Sequence, residues 1–184
     1  MNMRIKICLC LLVVFSFSYA FAETNTLNIF PQNNGTSVND FARLINPEDT
    51  KKIKSLCDDI RKDDLAIIVV ATIDSIPKVK KEYENVIFYG TDLSNYWGIG
   101  RKGINDGVLF LISKKDRKAA ICTGYLTEHY LPDAEARKIL DKYMIPNFKK
   151  GDYGKGIIAG IIEARKVMEK NRKFMYPEKY GKNK

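Results

Sequence analysis

Hydrophobic and polar positions along the chain sort into a few clear periods. Leu65 to Thr72 reads LAIIVVAT, a near-continuous β-branched run of strand length; such a run predicts a strand covered on both faces. Val108 to Ile112 is a second apolar run. A polar turn at Ser113–Asp116 and a return over Lys118 to Cys122 complete a predicted hairpin. Ile53, Leu56, Cys57 and Ile60 recur at helical spacing behind Asn46-Pro47-Glu48-Asp49. There Asn46 serves as cap, Pro47 suits the first turn, and the acids favour the positive end of the helix dipole. Further helical patterns cover roughly Val79 to Tyr96, Asp133 to Tyr143, and the stretch from Gly151-Asp152 to about Asn171. Gly90 and Asn85 weaken the first of these.

The order is helix, strand, helix, hairpin, helix, helix. Elements with one apolar face must be layered. The expected fold is therefore α/β, a three-layer α/β/α sandwich whose central mixed sheet of about four strands is flanked by helices. The crossover between the first two strands is expected to be parallel. No internal repeat is visible.

The beginning of the chain has a different character. Arg4 and Lys6 precede an almost wholly apolar stretch from Ile7 to Phe17, and Ala20-Phe21-Ala22 follows. The stretch is about half the ~20 residues that span a bilayer. The pattern is that of a signal peptide, residues 1–22, cut after Ala22. Residues 23–37, rich in Asn and Thr, read as a flexible leader. The folded domain is expected over 38–170 and a basic tail over 171–184. Localisation is expected outside the cytoplasm, in the periplasm or the extracellular space.

Charge adds the next constraint. Lys and Arg number 31 against 22 Asp and Glu, which gives +9. Export makes nucleic acid an unexpected partner despite that charge. The tail interleaves Arg172, Lys173, Lys179, Lys182 and Lys184 with Phe174, Tyr176 and Tyr180, a composition suited to an anionic membrane surface or an envelope membrane protein. The bland reading of such an end is a solvated tail. A monomer is expected. Beyond the leader only Cys57 and Cys122 remain; both occupy apolar positions and read as buried free thiols, with a disulfide between them the alternative that an oxidising compartment permits.

Several ordered blocks resemble the TPM domain family. Val38-Asn39-Asp40 and Leu44-Ile45-Asn46-Pro47-Glu48 look like its opening. Trp97-Gly98-Ile99-Gly100-Arg101-Lys102-Gly103 with Asn105-Asp106-Gly107-Val108-Leu109 looks like its central signature. Asp116-Arg117, Thr123-Gly124-Tyr125, Glu128, Leu131-Pro132-Asp133-Ala134, Ile145-Pro146-Asn147-Phe148 and Gly151-Asp152-Tyr153 follow in order. The resemblance implies an α/β/α sandwich outside the cytoplasm that binds divalent metal. Acid phosphatase activity and a part in membrane-protein repair are attributed to plant relatives. One departure is Leu126, which stands where the family's glycine-rich run has glycine.

The candidate chemistry is carboxylate. Hairpin geometry places Asp106, in Asn105-Asp106-Gly107, at the same sheet edge as Glu128. An extended segment of about five residues before the first helix reaches roughly 17 Å, which would bring Asp40 to that edge. Asp40, Asn105, Asp106 and Glu128 are thus the candidate metal ligands, and an all-oxygen set suits Ca²⁺ or Mg²⁺. Asp74 ends the first strand and belongs at the opposite edge. The competing structural reading is a tight turn for Asn-Asp-Gly and a cap for Asp40.

The preferred function is a cation-binding accessory or quality-control module of the cell envelope. The alternative is a metal-dependent acid phosphatase of low activity. Asp106 would activate water there, and Arg101 or Lys102 would hold the phosphate. The glycine-rich loop lacks the Gly-Lys-Ser/Thr ending of a nucleotide site and leads into a strand. His129 reads as a solvated loop residue and Trp97 as core.

Overall fold

In the computed structural model residues 29–175 are described. The signal-peptide pattern of residues 1–22, the first part of the leader and most of the basic tail lie outside them. Chain contacts divide the molecule after Pro31, and the domain begins at Gln32.

The sheet has four strands in the order β1 (Val38–Asp40), β2 (Ile67–Ile73), β3 (Gly107–Ser113) and β4 (Lys118–Thr123). β1, β2 and β3 run parallel, and β4 returns antiparallel to β3. With helices on both faces this is the expected three-layer α/β/α arrangement around a mixed sheet.

Strand alternation divides the core in two. Ile68, Val70, Val108, Phe110, Ile112 and Ile121 point to one face. They meet Ile53, Cys57 and Ile60 of α1 (Pro47–Lys62) and Ile157, Ile161, Ala164 and Met168 of the long last helix (Tyr153–Met175). Ala71, Leu109, Leu111 and Cys122 point the other way, toward α2 (Val86–Trp97), which contributes buried Tyr89 and Leu93. The two cysteines are free and buried, with Cys57 under one face and Cys122 under the other. The sheet between them keeps their sulfurs apart.

α1 starts as its sequence requires. The Asn46 side chain accepts from the Asp49 N–H at 2.8 Å, and Pro47 occupies the first turn. The pattern over 79–96 does not form one helix. A 3₁₀ turn, Lys81–Glu84, comes first, and α2 begins only at Val86 because the Asn85 side chain caps it by accepting from Ile87 N–H. Gly90 sits mid-helix for a packing reason, since a Cβ there would stand 2.5 Å from Cys122 Sγ. Three further differences concern local order. Val38–Asp40 pairs as an edge strand. Tyr125–Tyr130, which contains the expected loop residue His129, folds into a short helix, α3. α4 (Asp133–Ile139) passes through a π turn, Leu140–Met144, into α5 (Ile145–Phe148) before α6, the long last helix.

Candidate functional site

The signature region folds around Asp106, which is 1% exposed at the start of β3. Its Oδ1 accepts from the Arg101 backbone N–H at 2.7 Å, and its Oδ2 accepts from Arg101 Nε at 2.6 Å. The same guanidinium reaches outward to the exposed Asp64 carboxylate. Arg101 is therefore a clamp. It closes the loop 98–106 on itself and ties it to the turn after α1.

Glycines supply the room for this closure. A Cβ on Gly107 would lie 2.3 Å from the Ile99 carbonyl oxygen, and one on Gly124 would lie 2.4 Å from the Asn105 carbonyl oxygen. Gly100, with φ +113, would meet the Gly107 nitrogen at 2.8 Å. Three glycines thus let three backbone segments touch. Asn105 takes φ 57, and its carbonyl accepts from Leu126 N–H at 3.1 Å. Leu126 fits without strain because its position is helical and its side chain packs on the core.

Asp40 is elsewhere. Parallel register aligns Asp40 with Thr72 and Thr72 with Ile112, six residues along β3 from Asp106. At ~3.3 Å per residue that separation is about 20 Å. The expected convergence does not occur: pairing of Val38–Asp40 with β2 carries the chain to the far end of the sheet. There Asp40 Oδ1 accepts from Leu44 N–H at 2.9 Å and from the Thr72 hydroxyl, and Oδ2 accepts from Ile45 N–H at 3.0 Å. Thr72 Oγ1 in turn accepts from Ala42 N–H at 3.1 Å. This carboxylate shapes the turn between β1 and α1.

Glu128 does lie at the Asp106 end of the sheet, on α3, where it is exposed. His129 is exposed beside it, its ring edge-on to Tyr125. Asp74 stands at the end opposite Asp106, as the parallel crossover requires, paired with Lys115 at 3.3 Å. Trp97 is half-buried rather than core and lies 6.3 Å from the Phe41 ring. Among the described residues no three His, Cys, Asp or Glu side chains cluster to hold a metal ion. Asp40, Asn105, Asp106 and Glu128 do not fit one hard-cation shell. Two of their carboxylates sit at opposite ends of the sheet, each with both oxygens engaged by protein donors.

Residue types alone did not point to two other fixtures. Asp116 accepts from Ile76 N–H at 2.7 Å and from Ser113 Oγ at 2.6 Å, and these donors, the hydroxyl first, hold its carboxyl below the usual value. Asp64, the outer partner of Arg101, takes φ 56. The turn propensity of Asp is its only sequence signal.

Beside the clamp a cleft of about 470 Å³ is lined by Ser37, Lys54, Arg61, Ile67 to Val69 and Trp97 to Gly100. Its polar lining mixes cations with Asp58, and Arg61 pairs with that aspartate at 3.0 Å.

The comparisons agree with this architecture. No curated protein matches the chain. The solution structure of the N-terminal domain of a protein from P. gingivalis is similar, with 27% identity, TM-score 0.64 and coverage of 72% of this chain and 82% of that one. The N-terminal domain of a Corynebacterium glutamicum protein shares the fold at 15% identity and TM-score 0.56, covering 75% of this chain and 83% of that one. The TPM domain profile matches residues 38–167, and the chain belongs to the TPM domain family.

Proposed function

We propose that this protein is an exported TPM-domain module that serves an accessory or quality-control role in the cell envelope, acting by binding rather than by hydrolysis. The signal-peptide pattern of residues 1–22 supports export. The observation that carries the binding reading is the state of Asp106: buried, with one oxygen on the Arg101 amide and the other on the Arg101 guanidinium. A carboxylate that activates water must be within reach of that water and its proton. Arg101, which a phosphatase would turn toward substrate, is committed to Asp106 and Asp64.

The test pairs two measurements on the purified protein. Hydrolysis of a generic phosphate ester is followed with and without Ca²⁺ or Mg²⁺, and the same cations are titrated against amide resonances. No turnover is expected. Cation-dependent turnover that disappears in Asp106→Asn would replace this reading with the phosphatase one.

A further inference from the structure

β4 is the last strand of the sheet, and its outward-facing groups follow from its pairing. Gly124 N–H donates to the Gly107 carbonyl at 2.8 Å, so that level of the ladder is a bonded pair. Antiparallel alternation then places Cys122, Ala120 and Lys118 in bonded pairs with Leu109, Leu111 and Ser113. Ala119, Ile121 and Thr123 therefore direct N–H and C=O away from β3, to the open edge. Among the described residues no hydrogen bond reaches these groups, although Ile121 is 6% exposed. Backbone polar groups at such depth normally have partners.

The edge lies in a run of clefts. Val86 and Ile87 of α2 border it on one side, and Ala136, Arg137 and Leu140 on the other. Toward the hairpin turn it widens to about 700 Å³, walled by Ile145 and by Phe148 stacked on Tyr153 at 5.1 Å. Lys114, Arg117, Lys118 and Lys149 line that hollow, with no acidic side chain among its lining residues. None of Lys114, Arg117 and Lys149 forms an ion pair among the described residues. Lysine on a sheet edge ordinarily discourages pairing. Here the cations gather at the turn end; beside the short side chains of Ala119 and Ala120 the cleft narrows to about 90 Å³, and Asp133 joins its lining.

We propose that the β4 edge binds an extended acidic segment of a partner protein by strand addition. The segment's backbone would pair with Ala119, Ile121 and Thr123, and its carboxylates would meet Lys114, Arg117 and Lys149. Charge selects this occupant. The hollow's four cations, with no acid in its lining, complement an acidic segment. The proposal stands apart from any reading of Asp106, because it uses the opposite side of the hairpin.

The probe is an end-blocked octapeptide of alternating glutamate and valine, with a lysine–valine octapeptide as control, each titrated against the ¹⁵N-labelled protein at pH 7. The acidic peptide is expected to shift and protect the amides of Ala119, Ile121 and Thr123. Raised salt should weaken it. The paired surface changes Arg117→Glu and Lys149→Glu should weaken it at least tenfold, and Ala119→Pro, which removes one outward donor, should do the same. Equal binding of both peptides, or shifts that avoid β4, would overturn the proposal. So would edge protection that rises with protein concentration alone, or that phosphatidylglycerol vesicles produce and the peptide does not.

Discussion

Arg101 and Asp106 form one closed unit: the arginine binds the buried carboxylate through its own backbone N–H at 2.7 Å and through its side chain at 2.6 Å. Removing the guanidinium leaves a buried charge with one donor. Arg101→Met is expected to destabilise the fold by about 3 kcal/mol, the lower end for a broken buried pair because the arginine is partly exposed. Asp64→Asn, on the solvent side, should cost under about 1 kcal/mol. Urea unfolding of both variants checks the contrast, and equal effects would sink the clamp.

Gly107 and Gly124 test the backbone contact. Alanine at either must displace a carbonyl oxygen less than 2.5 Å from the new Cβ. Each change is expected to cost about 2–3 kcal/mol, while Gly35→Ser, in open space but at φ +77, should cost only its backbone strain. Melting temperatures of the three variants decide it.

Asp40 is predicted to be structural. Asp40→Ala strands the Leu44 and Ile45 amides and should cost about 1–3 kcal/mol. Amide exchange should rise first over residues 41–46. An Asp40→Ala protein that keeps its stability but loses a Ca²⁺ response would return this residue to the metal reading.

Asp116 sets an acid limit. Its carboxyl titrates below its ordinary 3.8 because the Ser113 hydroxyl and the Ile76 amide favour the charged form. Its contribution is complete above pH 3.8 and is lost as pH falls through the lower folded value. Asp116→Asn should therefore lower the melting temperature at pH 7 and flatten its fall below about pH 4. An unchanged acid limb would contradict the assignment.

The cysteines supply a folding probe. Burial pushes both Cys57 and Cys122 thiols up to about 12. In protein beginning at Glu23, a disulfide reagent at pH 8 should titrate neither thiol natively and both in denaturant. Native reaction of either would show that its cover opens.

The sheet's strands β2, β3 and β4 were legible because buried strands need long apolar runs, and LAIIVVAT offers no alternative. The α1 start was legible because Asn46 and Pro47 are local signals. Val38–Asp40 gave no comparable strand signal: three residues with two polar ones become a strand only because β2 offers them an edge. α3 was hidden for the same kind of reason, since Tyr125–Tyr130 is ordered by Leu126 N–H bonding to Asn105 and by packing against the core.

The candidate site shows where local reading stops. Residue types and hairpin geometry put Asp106 and Glu128 at one end of the sheet, and they are there. Asp40 went to the other end because register is decided by pairing across the sheet, which reach along the chain does not constrain. Periodicity and capping determined the layered α/β/α class, since each rests on contacts between near neighbours, while the ordered motif blocks carried the family resemblance. Only tertiary structure decided what the signature does, because the glycine contacts, the Arg101 clamp and the open β4 edge exist between segments that meet after folding.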